Sequence, residues 1–74
     1  MVDSNYIKAK RVGKGIKQSE MASELGVSIG SYSKKENGIT AFTDDEKIKV
    51  SGFLDFSEHD FLRAFFNDKK FPIR

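Results

Sequence analysis

Apolar positions in this chain recur at intervals of three and four rather than two, a pattern that predicts helices and no strands. Tyr6, Ile7, Lys10 and Arg11 set the first such interval, Asp3 or Ser4 can cap it, and Gly13 with Gly15 stops it. A first helix is therefore expected over about 5–13. Ile16 re-enters the core, and a second helix runs from Gln18 to Leu25 with Met21, Ala22 and Leu25 on one face. Gly26 ends it, because a tight turn there needs a residue that tolerates positive φ. Ser28 is a natural cap for a third helix reaching about Glu36 and stopping at Asn37-Gly38.

Residues 39–42 read as a loop. Thr43 and Glu46 then make a capping box, and Asp44 and Asp45 fill a first turn whose exposed N–H groups favour negative charge. The fourth helix has Val50 and Leu54 on a core stripe, flanked by Ile48 and Phe53. Ser57 with Asp60 repeats the cap signature, opening a fifth helix that carries Phe61, Leu62, Phe65 and Phe66. The tail NDKKFPIR cannot be helical past Pro72, leaving Phe71 and Ile73 either laid along the domain or protruding.

Seventy-four residues read as one domain, 1–74, with a helical core of about 5–66 and a C-terminal tail of 67–74. A chain of this size gains only a few kcal/mol of net stability from its core. Cysteine is absent, so neither disulfides nor thiolate metal sites supplement it. No apolar run approaches the ~20 residues a membrane span requires, and MVDSNYIKAK has no signal-peptide h-region. The expected location is the cytoplasm. Net charge is +2 and uneven: residues 1–42 hold seven basic against four acidic side chains, residues 43–74 six against seven. The basic half is compatible with a polyanion partner and equally with a solvated surface.

One ordered set of residues says more than these totals. In Gln18-Ser19-Glu20-Met21-Ala22-Ser23-Glu24-Leu25-Gly26-Val27-Ser28 a small residue stands four before a glycine, with apolar residues on both sides. Two helices crossing at roughly 90–120° through a short turn need a small side chain where they touch and a glycine at the bend. Ala22 and Gly26 fill those places, and Met21, Leu25, Val27 and Tyr32 supply the shared core.

With Arg11 in helix one, Gln18 opening helix two, this turn, Ser28 capping helix three and Lys35-Glu36-Asn37-Gly38 closing it, the chain resembles the Cro and phage-repressor (XRE-type) helix-turn-helix family from Ile7 to about Phe66. Phe42-Thr43, Glu46 and Phe65-Phe66 resemble a subgroup common in phages and mobile elements of Gram-positive bacteria. The resemblance implies an all-α fold, a compact five-helix lambda-repressor-like DNA-binding domain. Helix three would enter the major groove and helix two would lie across the backbone.

The same resemblance implies the site. Gln18 matches the family's phosphate-contacting glutamine and Asn37 a phosphate contact just past helix three, although a solvated helix start and a helix-ending turn are the plainer readings of the two. Lys34 is well placed for phosphate, Lys35 less so, and Lys8, Lys10, Arg11, Lys14 and Lys17 are further phosphate candidates. The base-reading positions are Ser28, Ile29, Gly30 and Ser33, with Ser31 nearby. Bidentate readout of guanine takes Arg or Lys and of adenine Asn or Gln, and none stands there. Ile29 offers only apolar contact to a thymine methyl, and serines accept either partner. Direct readout is expected to be poor. Three departures touch the docking angle: Lys17 where Ser or Thr usually caps helix two, Tyr32 in place of a small aliphatic residue, and Lys35 in a place often apolar.

Other motifs carry less. Gly13-Lys14-Gly15 lacks the preceding strand and spacing of a phosphate loop, Asp44, Asp45 and Glu46 are accounted for as helix-start acids, and His59 has no second histidine or cysteine to pair with. Neither enzymatic activity nor a cofactor or metal is expected. A stripe such as Phe61, Leu62, Phe65 and Phe66 is more often core than interface, but with Phe53, Phe56 and Phe71 it exceeds what so small a domain easily buries, which makes the last helix a candidate partner or dimer surface as well. Two functions follow. One is a Cro-like regulator of a lysis-lysogeny switch binding double-stranded operator DNA, as a homodimer on palindromic half-sites. The other is an antirepressor, or modulator of repression, that keeps the fold but binds a cognate phage repressor protein. A toxin-pair antitoxin of the same fold ranks third.

Overall fold

The computed structural model describes residues 3–66. Within them lie five helices and no strand: α1 (Ser4–Gly13), α2 (Gln18–Leu25), α3 (Ile29–Glu36), α4 (Asp44–Phe53) and α5 (Glu58–Phe65). The expectations for the tail, including Phe71 and Ile73, fall outside the described residues. Among those described, no helix is long and apolar enough to cross a membrane.

Each helix begins where its capping chemistry directs. Asp3, not Ser4, caps α1: its carboxylate accepts from the Tyr6 N–H at 3.1 Å. Thr43 with Glu46, and Ser57 with Asp60, form reciprocal boxes at the starts of α4 and α5. Lys17 offers no acceptor to α2, so only the return half of a box exists there, Glu20 accepting from the Lys17 N–H at 2.8 Å. Gly26 adopts φ +73°, which lets Val27 N–H reach back to the Ala22 carbonyl at 3.0 Å and turn the chain into α3. The end of α4 is unusual in that the left-handed position is taken by Asp55, φ +56°, rather than by glycine.

The core forms where these five amphipathic stripes meet. α2 packs on both α3 and α4, while α1 bridges α3 and α5. Ile7, Met21, Tyr32, Val50 and Leu54 are fully buried, with Ala22 and Leu25 at the α2–α3 crossing, so Tyr32 belongs to the core. Loop residue Phe42 enters this core and packs edge-on against Tyr32 and against Phe65, with ring centroids 6.3 and 5.6 Å apart. The first described residue is fixed to the last helix, because Asp3 N–H donates to the Ala64 carbonyl at 2.8 Å.

The last helix corrects one expectation. Phe65 is core: it is 2% exposed, with Phe42, Phe56 and Phe61 around its ring. Phe42 arriving from the loop and Phe56 from the α4–α5 turn build the room that helix periodicity alone did not provide. Phe61 is half-buried, and among the large apolar side chains of the helix and its C-cap Leu62 and Phe66, about half exposed, remain open.

Candidate nucleic-acid interface

Helix α3 has two opposed faces, and its 3.6-residue repeat assigns each side chain to one of them. Tyr32 and Glu36 face inwards and are buried. Ile29, Ser33 and Asn37 follow one another at intervals of four, with Gly30 and Lys34 beside them, and this stripe faces outwards. Ser31 and Lys35 lie on the flank, both half-buried. Four of the expected contact residues, Ile29, Gly30, Lys34 and Asn37, are exposed on this helix and its C-cap, and Ser31 and Ser33 are both half-buried.

The inward face is held by a carboxylate. Glu36, 1% exposed, accepts from Arg11 Nε at 2.8 Å and Nη2 at 3.2 Å, from Tyr32 Oη at 2.8 Å and from Gln18 Nε2 at 3.0 Å. One group thus ties α1, α2 and α3 together. Burial alone would push the Glu36 carboxyl up, but the hydrogen bonds from Arg11, Tyr32 and Gln18 outweigh it and hold the group below the usual carboxylate value. Burial, then the bond to Glu36, raises the Tyr32 hydroxyl, and the bond to Glu36 raises the Arg11 guanidinium. Arg11 also donates from Nη1 to the Ile16 carbonyl at 2.9 Å, fixing the α1–α2 loop.

This network revises several assignments. Arg11 is not a phosphate cation: it is 7% exposed and its donors are committed inside the fold. Gln18 sits half-buried at the start of α2 with one amide donor already given to Glu36. From the sequence, Glu36 stands only as part of a helix-ending motif. Its signal was present, since Arg11 follows Ile7 and Glu36 follows Tyr32 by one helical turn, which puts one charge of each sign on two core stripes.

Other cations divide into committed and open. Lys35 is taken by Glu46 at 3.1 Å and the Ala41 carbonyl at 3.1 Å, pinning α3 to the loop and to α4. Its place, expected to be apolar, is satisfied by this pairing along a buried stem. Lys10 pairs with Asp60 at 3.4 Å and lies over the Tyr6 ring. The Asp60 carboxyl is depressed by its bonds to the Tyr6 hydroxyl and the Ser57 N–H. Lys8, Lys14, Lys17 and Lys34 are exposed and outside every ion pair among the described residues.

On the outward face of α3 little polar chemistry is left uncommitted. Ser28 Oγ accepts from Ser31 N–H at 3.1 Å as the helix cap. Ser33 Oγ accepts from Asn37 Nδ2 at 3.4 Å. Ile29 is 53% exposed, and a Cβ built on Gly30 would meet nothing within 4 Å. The surface offers a smooth apolar start, small hydroxyls, and the cation of Lys34 towards its far end.

A search of curated proteins and of solved structures returns no match. A helix-turn-helix family model, by contrast, matches residues 7–61, from the fully buried Ile7 of α1 through the whole α2–turn–α3 unit to Phe61 of α5. That match spans most of the chain and coincides with the two crossed helices, the glycine bend and the exposed α3 face described above, and on these grounds the chain belongs to the helix-turn-helix family of DNA-binding regulators.

Proposed function

We propose that this chain is a cytoplasmic transcription regulator of a phage or mobile element, of the Cro-like lysis-lysogeny type, that binds operator DNA by laying α3 in the major groove. The observation that carries the proposal is the exposed stripe Ile29, Gly30, Lys34 and Asn37, with a half-buried Ser33 among them, on a helix whose inward face is spent on Tyr32 and Glu36. Ser28 stands at the head of that stripe, and Gln18 at the start of α2, where a second amide hydrogen and the helix N–H groups can meet a phosphate. Lys8, Lys14, Lys17 and Lys34 supply charge for phosphate contact. Fluorescence-anisotropy titration against the DNA upstream of its own gene tests this. Binding should exceed that for a scrambled duplex and fall as salt rises, and equal binding to both duplexes overturns operator recognition.

A second reading has its own observation. Leu62 on α5 and Phe66 at its C-cap stand 51% and 47% exposed, one turn apart, while the first turn of α3 holds no Arg, Lys, Asn or Gln. Both features favour an antirepressor that binds a cognate phage repressor, or a homodimer formed through α5. Light scattering of the chain alone, and mixed with the repressor encoded beside it, separates these two from a DNA-binding monomer.

A further inference from the structure

We infer that Ile29 is the specificity-determining residue of α3, and that what it recognises is the C5-methyl group of a pyrimidine, whether thymine or 5-methylcytosine. The inference rests on the proposed docking of α3 in the major groove and names the feature of the DNA that this docking reads.

In a helix-turn-helix complex the N-terminal residues of the recognition helix meet the base edges. Here those residues are Ser28, Ile29 and Gly30. Ser28 Oγ already accepts one hydrogen bond as the cap, Gly30 has no side chain, Ser31 is half-buried, and Ile29 is left half exposed with a branched apolar side chain. The only apolar group on a major-groove base edge is the pyrimidine C5-methyl. Covering a methyl with an isoleucine removes both from water, whereas setting Ile29 against a bare cytosine or a purine edge leaves polar groups unpaired.

The second half of the inference comes from what is missing. Thymine and 5-methylcytosine carry the same methyl at C5 and differ at C4, an acceptor oxygen in one and a donor amine in the other. Telling them apart takes a side chain with a fixed donor or acceptor at that edge. Ser28, Ser31 and Ser33 have hydroxyls that rotate to serve as either, and the fixed donor Lys34 and the amide of Asn37 lie more than one turn beyond Ile29. The site is therefore sensitive to the methyl and indifferent to the base that bears it, so methylation of a cytosine at that position strengthens binding as a thymine there would.

Duplexes enriched from a random-sequence pool by the purified chain are resynthesised with one thymine at a time replaced by deoxyuridine, which deletes only the methyl. The responsive T·A pair is then replaced by C·G and by 5-methylcytosine·G. One position, with its symmetry mate if the site is palindromic, should lose about fourfold in affinity on losing the methyl. The 5-methylcytosine duplex should bind within about twofold of the thymine duplex and the C·G duplex should bind like uracil. In Ile29→Ala, a change at a half-exposed side chain that leaves the melting curve in place, all these differences should vanish while salt-dependent binding persists. Uracil tolerated at every position, or 5-methylcytosine no better than cytosine, overturns the inference and leaves DNA binding standing. A pool from which nothing is enriched overturns the DNA-binding proposal itself.

Discussion

Arg11 and Glu36, 25 positions apart in the chain, form the buried ion pair on which the helix-turn-helix is hung, with Nε to Oε2 at 2.8 Å. The pair reaches from α1 to the last residue of α3, and Tyr32 and Gln18 complete the carboxylate's hydrogen bonds. Such a pair adds little beyond an apolar equivalent, but removing one partner strands a buried charge, at a cost of about 3–5 kcal/mol. That is comparable to the whole stability of a domain this small. Arg11→Ala and Glu36→Ala are each expected to be largely unfolded at 37 °C by circular dichroism, and the Arg11→Met/Glu36→Leu double variant to recover much of the loss. A double variant as unstable as the singles contradicts this account.

The same pair sets an acid limb. The folded-state value of Glu36 lies below its ordinary 4.5, so its contribution is complete above that pH and is lost as pH falls through the lower folded value. Glu46 and Asp60, also depressed, act in the same direction. Urea midpoints should hold steady from neutrality to about pH 5 and fall below it. Glu36→Gln should lower the midpoint at neutral pH and make the fall shallower, and an unchanged slope would assign the limb to the other two carboxyls.

Substitutions on α5 separate core from surface. Phe65→Asp places a charge among Phe42, Phe56 and Phe61, and the domain should not fold. Leu62→Asp, at a 51% exposed position, should shift stability by no more than about 0.5 kcal/mol. Loss of self-association or of repressor binding in Leu62→Asp, at unchanged melting temperature, would identify α5 as the partner surface.

Much of this architecture was legible in the sequence because its signals are local. Thr43 with Glu46, Ser57 with Asp60, Ser28, and the Ala22-to-Gly26 spacing each work within one helical turn, and each lies where it was expected. The misread residues depend on partners far along the chain. Arg11 looked like a surface cation until Glu36 was brought to it, Phe65 looked like surplus until Phe42 and Phe56 closed around it, and Lys35 looked misplaced until Glu46 paired with it. The outward stripe of α3 was readable as a helix face, whereas the commitment of Gln18 to Glu36 was not, because it joins two helices.

Asp55 tests a local signal of the opposite kind. It holds φ +56° at the end of α4, while Phe56 N–H reaches back to the Ser51 carbonyl at 2.8 Å to close the helix. L-residues are strained in this region and glycine is not. Asp55→Gly should therefore stabilise the domain by up to about 1 kcal/mol, a rise of about 4–8 °C in melting temperature for a domain of this length. A lower melting temperature would mean that the Asp55 side chain contributes more than its backbone strain costs.

Gly30 offers the most direct way to change what α3 reads. Its position beside Lys34 faces outwards, a Cβ there meets nothing within 4 Å, and its φ is not in the left-handed region, so the fold makes no demand for glycine. A side chain at this point gains helix propensity, about 0.8–1 kcal/mol for leaving glycine. Gly30→Arg should accordingly raise the melting temperature slightly. It also gives the first turn the bidentate donor it lacks, so duplexes enriched from a random pool should show a guanine beside the pyrimidine covered by Ile29, discriminated by about 1–3 kcal/mol. The wild-type first turn, Ile29-Gly30-Ser31-Tyr32, has no Arg or Lys to impose that guanine. An enriched set indistinguishable from the wild-type set, obtained with a folded Gly30→Arg, would mean that the first turn of α3 does not reach the base edges.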